Sequence, residues 1–333
     1  MKKYDIFGVG NALVDIEYSV SSEDLKELGL PKGAMTIVSD QKQRDLFRSL
    51  NLKGLKETSS NCGGSAANTI TTAAMLGSQT YYSCRVANDS HGDFFCEQLS
   101  EAGISNNLEE HREKGSTGTC LTLITEDAER TMATYLGVTE KMSKNQLDFS
   151  SIEQSKIAYI EGYLVSTVTG FEAALTTLEI AKKSDTFVSL TLSDSGIVEN
   201  FRKEFETLIN KGIDLLFCNF EEAKLLTRGH SLKECEEQMK EIAPKFVITL
   251  GNNGACTFDG EKTYLCKGKQ AKAIDTTGAG DTFAGAFLHS INLQDNYERA
   301  TQISNIFAGE IVSRFGARLP KEITKNLDNR LNI

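Results

Sequence analysis

The second half of the chain alternates between short apolar runs and amphipathic segments, and this rhythm constrains the fold more than any other feature. The apolar runs are rich in β-branched and aromatic residues, as buried strands are, and occupy residues 157–164, 187–192, 215–219 and 246–251, with an earlier run at 4–10. Segments with helical periodicity lie among them at 170–184, 197–212 and 231–243. Strands that alternate with helices at short spacing build βαβ units. The sequence therefore predicts an α/β fold with a mainly parallel central sheet flanked by helices.

Two regions interrupt this rhythm. Residues 16–60 mix short helical pieces with the extended piece AMTIVS. Residues 115–140 place strand-like runs on either side of a turn at Glu126 and Asp127, which predicts a hairpin. We interpret these regions as a small β-rich lid inserted into a larger α/β domain. The predicted large domain then comprises residues 1–15, 61–114 and 141–333.

The composition argues against several classes of protein. The 333 residues carry a formal net charge of −10 without a cluster of lysines and arginines, so no nucleic-acid partner is expected. No apolar stretch approaches the roughly 18 residues of a membrane span, and the first apolar run is too short for a signal peptide, so we expect a cytoplasmic protein without a membrane partner. The eight cysteines form no C-x-x-C pair and do not cluster with the four histidines, which favours reduced thiols over a zinc site.

The stretch DTTGAGDTFAGAF, which begins at Asp275, predicts an anion site. We place it after a strand in KAID, residues 272–275, and at the start of a helix, with Gly278, Ala279 and Gly280 in the turn. Small residues let the backbone approach a ligand closely. The free N–H groups and the dipole of a helix N-terminus then favour an anion.

Asp281 follows in the first helical turn, where the helix dipole is expected to lower its pKa and keep it ionised. An ionised carboxylate beside an anion site can accept the proton of a hydroxyl that attacks a phosphoryl group. Asp281 is therefore a candidate catalytic base. The alternative is a simple helix cap, which is a common position for aspartate.

Two motifs in the first part of the chain offer groups for a sugar. NCGGSAANT is a glycine-rich turn that leads into a helix of small residues. Its Gly64 and Asn68 lie one helical turn apart and can meet a sugar hydroxyl, or else the small residues only allow tight helix packing. GNALVDI ends the first strand. Its Asn11 and Asp15 can receive vicinal hydroxyls, or else they form a polar strand end.

Two motifs follow later strands. In CNFEEAKLL, Asn219 and Glu222 lie three residues apart on one face of a starting helix and can order Mg²⁺ through water. An ordinary capped helix is the alternative. In TLGNNGA, Gly251 and Gly254 mark either the edge of a nucleotide site or a plain hairpin turn.

Taken together, these motifs resemble the ribokinase-like family, also called the pfkB carbohydrate kinases. The family's C-terminal signature D-T-x-G-A-G-D-x-F is present as DTTGAGDTF and its N-terminal glycine pair as GGSAAN. N-x-x-E is present as Asn219 to Glu222, and T-x-G-x-x-G as Thr249 to Gly254. The ordered set covers nearly the whole chain. One segment departs from the family, because CRVANDSHG has Cys84 and Ala87 where G-x-V-G-x-D-x-x-G has glycines.

The resemblance implies an ATP-dependent kinase of a sugar or nucleoside hydroxymethyl group, with a β-rich lid over the acceptor. It also implies roles for the candidate residues. Asp281 would be the base beside an anion hole of Gly278, Ala279 and Gly280, while Asn11, Asp15, Gly64 and Asn68 would hold the ribose. Asn219 and Glu222 would serve Mg–ATP. The nucleotide would be lined by Thr249, Gly251 and Gly254, and Asn305 would lie near the adenine. Asp275 matches a position that often binds K⁺ in the family. Arg130, in the hairpin, could reach a phosphate or the acceptor, or could be a solvated turn residue.

Within the family, GNALVDI and GGSAANT look most like the adenosine kinase branch. A purine needs a flat apolar slot with an aromatic residue for stacking, and five residues could supply it or else fill a small core: Leu13, Met35, Ile37, Met132 and Tyr163. The expected reaction is phosphorylation of the 5′-hydroxyl of a purine nucleoside, adenosine to AMP, in purine salvage. The alternative is a carbohydrate kinase that acts on ribose, fructose or a related sugar.

Two other classes are less favoured. FGVGNAL superficially resembles a dinucleotide fingerprint, but Leu13 stands at the third glycine position and no strand-ending acid follows at about 20 residues, which argues against an NAD-dependent oxidoreductase. A non-catalytic nucleotide-binding protein has no need of the base in Gly-Ala-Gly-Asp. The sequence leaves a monomer and a homodimer equally open.

Overall fold

The computed structural model describes residues 2–127 and 129–331, so residues 1, 128, 332 and 333 of the predicted domains lie outside the description. The strands in the described residues are β1 (Tyr4–Val9), β2 (Leu13–Ser19), β3 (Met35–Ile37), β4 (Glu57–Gly63), β5 (Thr80–Ser83), β6 (Gly118–Ile124), β7 (Arg130–Tyr135), β8 (Ser155–Ile160), β9 (Phe187–Thr191), β10 (Leu215–Asn219), β11 (Phe246–Thr249), β12 (Ala255–Phe258) and β13 (Thr263–Cys266).

The helices in the same residues are α1 (Ser22–Leu28), α2 (Asp40–Leu52), α3 (Ser65–Met75), α4 (Ser90–Glu101), α5 (Leu108–His111), α6 (Phe149–Glu153), α7 (Val168–Lys183), α8 (Ser195–Asn200), α9 (Arg202–Asn210), α10 (Phe220–Thr227), α11 (Leu232–Ile242), α12 (Ala279–Leu293), α13 (Tyr297–Ile311) and α14 (Lys321–Leu331). Short 3₁₀ helices span Gly137–Lys141, Lys144–Gln146, Gly162–Ser166 and Gly251–Asn253. Within the described ranges, no helix is both long and apolar enough to cross a membrane.

The large sheet has the strand order β13-β12-β11-β10-β9-β8-β1-β5 within the described residues. Neighbouring strands run parallel from β5 to β11, while β12 and β13 are antiparallel additions at one edge. Because successive side chains of a strand point to opposite faces, Ile6 of β1 packs in one hydrophobic core and Phe7 in the other. Helices cover both faces. The predicted α/β fold with a mainly parallel sheet is confirmed.

Two predicted elements are wrong. Residues 197–212 form two helices, α8 and α9, because Phe201 leaves the helical conformation between them, with φ −123° and ψ 34°. Residues 272–275 form no strand. The backbone there is irregular, and the amides of Ile274 and Asp275 instead donate to the carbonyl of Val312, just beyond α13. This segment is therefore held by the end of a helix and not by the sheet.

The small sheet has the order β3-β7-β6-β2-β4 and contains the predicted hairpin as the antiparallel pair β6 and β7. One face carries Val14 and Ile16, which pack in the same core as Leu46 and Leu50 of α2. The opposite face therefore remains free to cover the large domain. β2 begins before residue 16 and β4 continues past residue 60, so both strands cross the borders drawn from the sequence. The division into domain and lid stays a prediction.

Two helices, α3 and α12, pack closely and bring their N-terminal turns together. α3 and α12 lie against each other, and a Cβ at Gly285 of α12 would overlap the carbonyl oxygen of Thr69 in α3. The small residues of GGSAANTITTAA thus serve tight packing, as one sequence interpretation proposed. Because both helices begin at the same place, the first turn of α3 faces the first turn of α12.

Candidate active site

A cavity of about 770 Å³ lies between the carboxyl ends of the parallel strands and the free face of the small sheet. Clefts of this size and position are typical of small-molecule sites in α/β proteins. Most of the candidate residues line it: Asn11, Leu13, Asp15, Met35, Ile37, Gly64, Asn68, Arg130, Met132, Tyr163, Asn219, Glu222, Thr249, Gly278, Ala279, Gly280 and Asp281. Gly251 lines a second cavity, of about 930 Å³. Asn219 and Thr249 line both cavities, so the two adjoin.

The turn before α12 has the geometry of an anion site. Gly278 adopts φ +72°, and a Cβ there would overlap the carbonyl oxygen of Ala317. Gly280 has nothing near the position of a Cβ, so its face is open. Within the described residues, the amides of Gly280 and Asp281 have no hydrogen-bond acceptor in the protein. These amides remain available for an anion at the helix N-terminus.

Asp281 lies at the floor of the cavity and is held by α3. Ser65 Oγ donates to its Oδ1 at 2.7 Å, and Asn68 Nδ2 donates to its Oδ2 at 3.0 Å. Burial raises the pKa of Asp281 to about 6, although both hydrogen bonds and the charge of Arg318 act in the opposite direction. The expectation that the helix terminus lowers this pKa is wrong, because desolvation of the carboxylate is the larger effect.

Glu161 is a site residue that the sequence analysis missed. It follows β8, is 1 % exposed and lines the large cavity. Its Oε1 accepts from the backbone N–H and the Nδ2 of Asn11, at 3.2 and 2.8 Å, and its Oε2 accepts from the N–H of Ala66 at 2.8 Å. Burial raises its pKa to about 7. A charged residue directly after the apolar run IAYI was the signal that could have revealed it.

The predicted sugar ligands occupy different elements. Asn11 lies in the link after β1, and Glu161 takes its Nδ2. Its Oδ1 accepts from Oγ1 of Thr139 at 3.4 Å and keeps a second lone pair for a ligand. Asp15 lies on β2 of the small sheet, not at the end of the first strand, and burial raises its pKa to about 7. Gly64 caps α3 at φ +99°, where a Cβ would overlap the carbonyl of Asn11. Asn11 and Asp15 line the same cavity, and each offers an oxygen acceptor to hydroxyl groups.

Asn68 has less freedom than the sequence suggested. Its Nδ2 binds Asp281, and its Oδ1 accepts from Nε of Arg318 at 2.9 Å. Both ends of the amide are thus occupied by protein. Arg318 was also missed by the sequence analysis, since it belongs to no motif and lies 250 residues from Asn68 in the chain.

The small sheet supplies an apolar wall. Met35 of β3 lies opposite Met132 of β7, and both line the cavity together with Leu13 and Ile37. Met35 and Ile37 remain 45 % and 62 % exposed. These side chains point away from the core of the small sheet, so they do not merely fill it. Tyr163, in the 3₁₀ helix after β8, lines the cavity as well.

Arg130 is not a solvated turn residue. Its side chain is 11 % exposed, and Nη2 lies 2.8 Å from Oδ2 of Asp275 and 3.3 Å from Oε1 of Glu17. Asp275 also accepts from the amides of Thr277 and Gly316, at 2.9 and 2.8 Å. Oδ2 of Asp275 thus has two protein partners and Oδ1 has one, so Oδ1 keeps one lone pair. The K⁺ role of Asp275 stays a prediction.

Asn219 and Glu222 form a reciprocal cap of α10. Asn219 Oδ1 accepts from the amide of Glu222 at 2.8 Å, while Glu222 accepts from the amide and Nδ2 of Asn219 at 2.9 and 2.6 Å. The capped-helix interpretation is thus observed, and the same pair lines the large cavity. Burial raises the pKa of Glu222 to about 7. A buried carboxyl of this kind is ready to be ionised by a nearby cation.

Two residues that were expected to contact the nucleotide hold the backbone in place instead. Gly254 adopts φ +96° in the β11–β12 turn, where a Cβ would overlap the carbonyl of Cys266, and it lines neither cavity. Asn305 is buried in α13, and its Nδ2 donates to the carbonyls of Cys266 and Lys267 at 3.1 and 3.3 Å. Lys267 lines the second cavity and Asn305 does not, so Asn305 holds the backbone of that cavity without lining it.

The segment CRVANDSHG, which departs from the family pattern, lies outside both cavities. Asp89 caps α4 and accepts from the amide and Oγ1 of Thr117 at 2.8 and 2.6 Å, just before β6. All eight cysteines are free thiols. Among residues 2–127 and 129–331, no group of three or more His, Cys, Asp or Glu side chains is arranged to hold a metal ion.

The chain is similar to known proteins over most of its length. Residues 33–324 match the model of the pfkB family of carbohydrate kinases. A probable sugar kinase from Rhizobium etli has the same fold, with a TM-score of 0.90, 28 % identity and full coverage of both chains. Adenosine kinase from Sinorhizobium meliloti gives a TM-score of 0.88 at 28 % identity, over 98 % of this chain and 99 % of the other.

A relative known by sequence is adenosine kinase from Saccharomyces cerevisiae, which is 25 % identical over 333 residues, 94 % of this chain and 96 % of its own length. The likeness to the two solved structures confirms the ribokinase-like fold. The family match covers most of the chain and includes the turn before α12. The chain therefore belongs to the pfkB family of carbohydrate kinases and is a phosphotransferase that acts on an alcohol group.

Proposed function

We propose that this kinase transfers the γ-phosphoryl group of ATP to the 5′-hydroxyl of a purine nucleoside, with adenosine as the acceptor and AMP as the product. The observation that carries this proposal is the apolar wall of Leu13, Met35, Ile37 and Met132, which lines the same cavity as the hydroxyl acceptors Asn11 and Asp15. A nucleoside has the matching division, with an apolar base at one end and a diol at the other. Binding of the base between apolar side chains would supply most of the affinity.

The diol would be held by Asn11 and Asp15. Glu161 binds Nδ2 of Asn11, and Oδ1 of Asn11, which accepts from Thr139 at 3.4 Å, keeps a second lone pair for a hydroxyl group. The Asp15 carboxylate also accepts hydrogen bonds when it is ionised. Two hydroxyl donors on neighbouring carbons suit this pair. The 5′-hydroxymethyl group would then extend toward Asp281.

Asp281 would act as general base. It takes the proton of the 5′-hydroxyl as the oxygen attacks the γ-phosphorus, a P–O bond forms, and the bond between the γ-phosphorus and the bridging oxygen breaks to release ADP. The amides of Gly280 and Asp281 would hold the charge on the transferred group. General-base catalysis contributes roughly 10² to 10⁴ in rate.

The nucleotide would bind at the second cavity, since kinases of this family use ATP and this cavity adjoins the first at Asn219 and Thr249. Mg²⁺ prefers oxygen ligands. Asn219 at this junction and Glu222 in the first cavity would order the ion through water, where it would neutralise phosphate charge. A K⁺ ion at Asp275 would share that carboxylate with Arg130 and two amides and would use the remaining lone pair of Oδ1.

A carbohydrate kinase is the second candidate. The chain has the fold of a probable sugar kinase at a TM-score of 0.90, and Asn11, Asp15 and Asp281 would serve ribose or fructose equally well. The apolar wall would then only seal a smaller acceptor site. A role in purine salvage belongs to the nucleoside proposal alone, while a cytoplasmic location and a monomeric or homodimeric state are proposed for either acceptor.

Product detection by mass spectrometry tests the two candidates. Purified protein and Mg–ATP are incubated separately with adenosine, inosine, guanosine, cytidine, ribose and fructose. We expect AMP to form fastest at low micromolar adenosine. Phosphorylation of a free sugar with adenosine inert would overturn the nucleoside proposal, while the role of Asp281 would stand.

A further inference from the structure

A segment between α13 and α14, residues 315–318, contacts the turn before α12. The amide of Gly316 donates to Oδ2 of Asp275 at 2.8 Å. The backbone of Ala317 packs against Gly278 so closely that a Cβ on Gly278 would overlap it. No motif in the sequence marked this segment. It nevertheless holds the loop that carries the anion site.

Arg318 continues the same segment to the catalytic base. Its Nε donates to Oδ1 of Asn68 at 2.9 Å, and Nδ2 of Asn68 donates to Oδ2 of Asp281 at 3.0 Å. An amide has a donor end and an acceptor end, so a guanidinium on its oxygen leaves only the NH₂ group for the carboxylate. Arg318 therefore decides which way Asn68 faces. Without it, the amide could rotate and place its oxygen against the carboxylate.

Arg318 also brings a positive charge to a group of buried acids. Its charge lowers the pKa of Asp15 and of Asp281, against the larger effect of burial. Its Nη2 is shielded from solvent and has no hydrogen-bond partner in the described part of the chain. Other groups act on the two carboxyls. Glu17, Arg130 and the charge of Asp281 act on Asp15, and Ser65 and Asn68 act on Asp281. Cys62 and Tyr82 lie beside Arg318 itself.

We propose that Arg318 is a positioning residue for phosphoryl transfer, which turns Asn68 toward Asp281 and supplies a buried positive charge beside Asp15 and Asp281. The proposal rests on the proposed function in that Asp281 is the base. It does not depend on whether the acceptor is a nucleoside or a sugar. It adds a residue that makes no contact with the cavity and acts through its neighbours.

The two contributions of Arg318 can be separated by substitution. Arg318→Gln removes the charge and the guanidinium fork, while Arg318→Lys keeps the charge and loses the planar donor to Asn68. Arg314→Gln is the matched control, since Arg314 lies in the same connection but pairs with Glu310 outside the cavity. The readout is the pH dependence of kcat/KM with the acceptor that the wild-type enzyme phosphorylates. The titration of Asp281 by ¹³C NMR, assigned with Asp281→Asn, gives a second readout that needs no turnover.

We expect Arg318→Gln to move the acid limb of the pH profile, and the NMR titration of Asp281, upward by about 1 pH unit, because an adjacent arginine lowers a carboxyl pKa by roughly 1–3 units. Arg318→Lys should keep the limb near its wild-type position but lower kcat at least about tenfold. Arg314→Gln should behave as wild type. An unchanged limb and titration in folded Arg318→Gln would overturn the role of the charge.

If Arg318→Gln does not fold, a double variant still tests the proposal. If Arg318 acts through Asn68, the double variant Arg318→Lys with Asn68→Ala should lose no more kcat than Asn68→Ala alone. If the two substitutions lower kcat independently, so that their effects multiply, Arg318 does not act through Asn68. Failure of the proposed function would give a different result. An active Asp281→Asn enzyme would show that Asp281 is not the base. The NMR titration of Asp281 in wild type and in Arg318→Lys would still report how Arg318 affects the pKa of Asp281.

Discussion

At the scale of single residues, burial controls the chemistry of this site more strongly than local sequence does. The first turn of a helix normally favours an ionised aspartate. In Asp281 the loss of water around the carboxylate outweighs that effect and raises the pKa to about 6. A base with a pKa in this range is still mostly ionised at neutral pH, and it accepts a proton more readily than an exposed aspartate.

Asp281→Asn should lower kcat at least about 10³-fold with little change in ATP affinity, because the amide cannot take the proton of the attacking hydroxyl. The measurements are steady-state turnover and calorimetric titration with Mg–ATP. Turnover comparable to wild type would remove the assignment of Asp281 as base.

Glu161→Gln should raise the acceptor KM about tenfold or more. The NH₂ group of glutamine would face either the donors of Asn11 or the amide of Ala66, so one buried donor loses its partner, at about 1–3 kcal/mol of stability. The readouts are KM for acceptor and for ATP, and thermal unfolding. Glu172→Gln, on an exposed part of α7, is the control that should change none of them. An unaffected acceptor KM would contradict the positioning of Asn11 by Glu161.

At the scale of elements, the sequence predicted strands and helices well where periodicity was long and less well at connections. The runs at 187–192, 215–219 and 246–251 are strands β9, β10 and β11 as expected. The pattern at 197–212 looked continuous, yet the chain breaks at Phe201, and Arg202 then donates to the carbonyls of Leu225 and Leu226 at the end of α10. The break coincides with a contact between segments that are distant in the sequence, and the periodicity of residues 197–212 does not reveal such a contact.

Met132→Asp on β7 should raise the nucleoside KM by about tenfold or more and leave the KM for ATP nearly unchanged. A carboxylate on the apolar wall must be desolvated when a purine packs against it. Leu52→Asp is the control, because Leu52 ends α2, which packs on the other face of the small sheet, and is 82 % exposed. An unchanged nucleoside KM in Met132→Asp would place the base elsewhere.

Asn219→Ala should destabilise the protein by about 1 kcal/mol through the lost cap of α10, and should also raise the KM for ATP. Ser231→Ala removes a cap of the same type from α11, where Ser231 accepts from the amide of Glu234. It should cost similar stability without any effect on ATP. Equal ATP kinetics in the two variants would show that Asn219 is a cap alone.

At the scale of the whole molecule, the cavity gathers carboxyls whose pKa values are raised together. Burial raises the pKa of Asp15, Glu161 and Glu222 to about 7 and that of Asp281 to about 6. The unfolded chain has values near 4 for these groups. Between about pH 4.5 and 7 the folded state therefore binds more protons than the unfolded state.

The sign of the effect follows from proton linkage. Where the folded state binds more protons, stability falls as the pH rises, by up to about 1.4 kcal/mol per pH unit for each such group. Thermal unfolding of the ligand-free protein should therefore show a Tm that declines from pH 5 to pH 7. Glu161→Gln, which cannot titrate there, should reduce the slope. A Tm that rises over this interval would contradict the burial of these carboxyls in ionisable form.

The sequence by itself determined the strand and helix alternation, the glycines of the turn before α12, and the order of the motifs that mark a kinase. These features depend on neighbours within a few residues, so periodicity and residue type suffice to find them. Only the tertiary structure decided that Arg318 lies beside Asn68, that Glu161 binds Asn11, and that Arg130 closes on Asp275. Those pairs are separated by about 145 to 250 residues, and desolvation sets their energies. Neither the contacts nor the burial can be deduced from local pattern, because both exist only once the chain has folded.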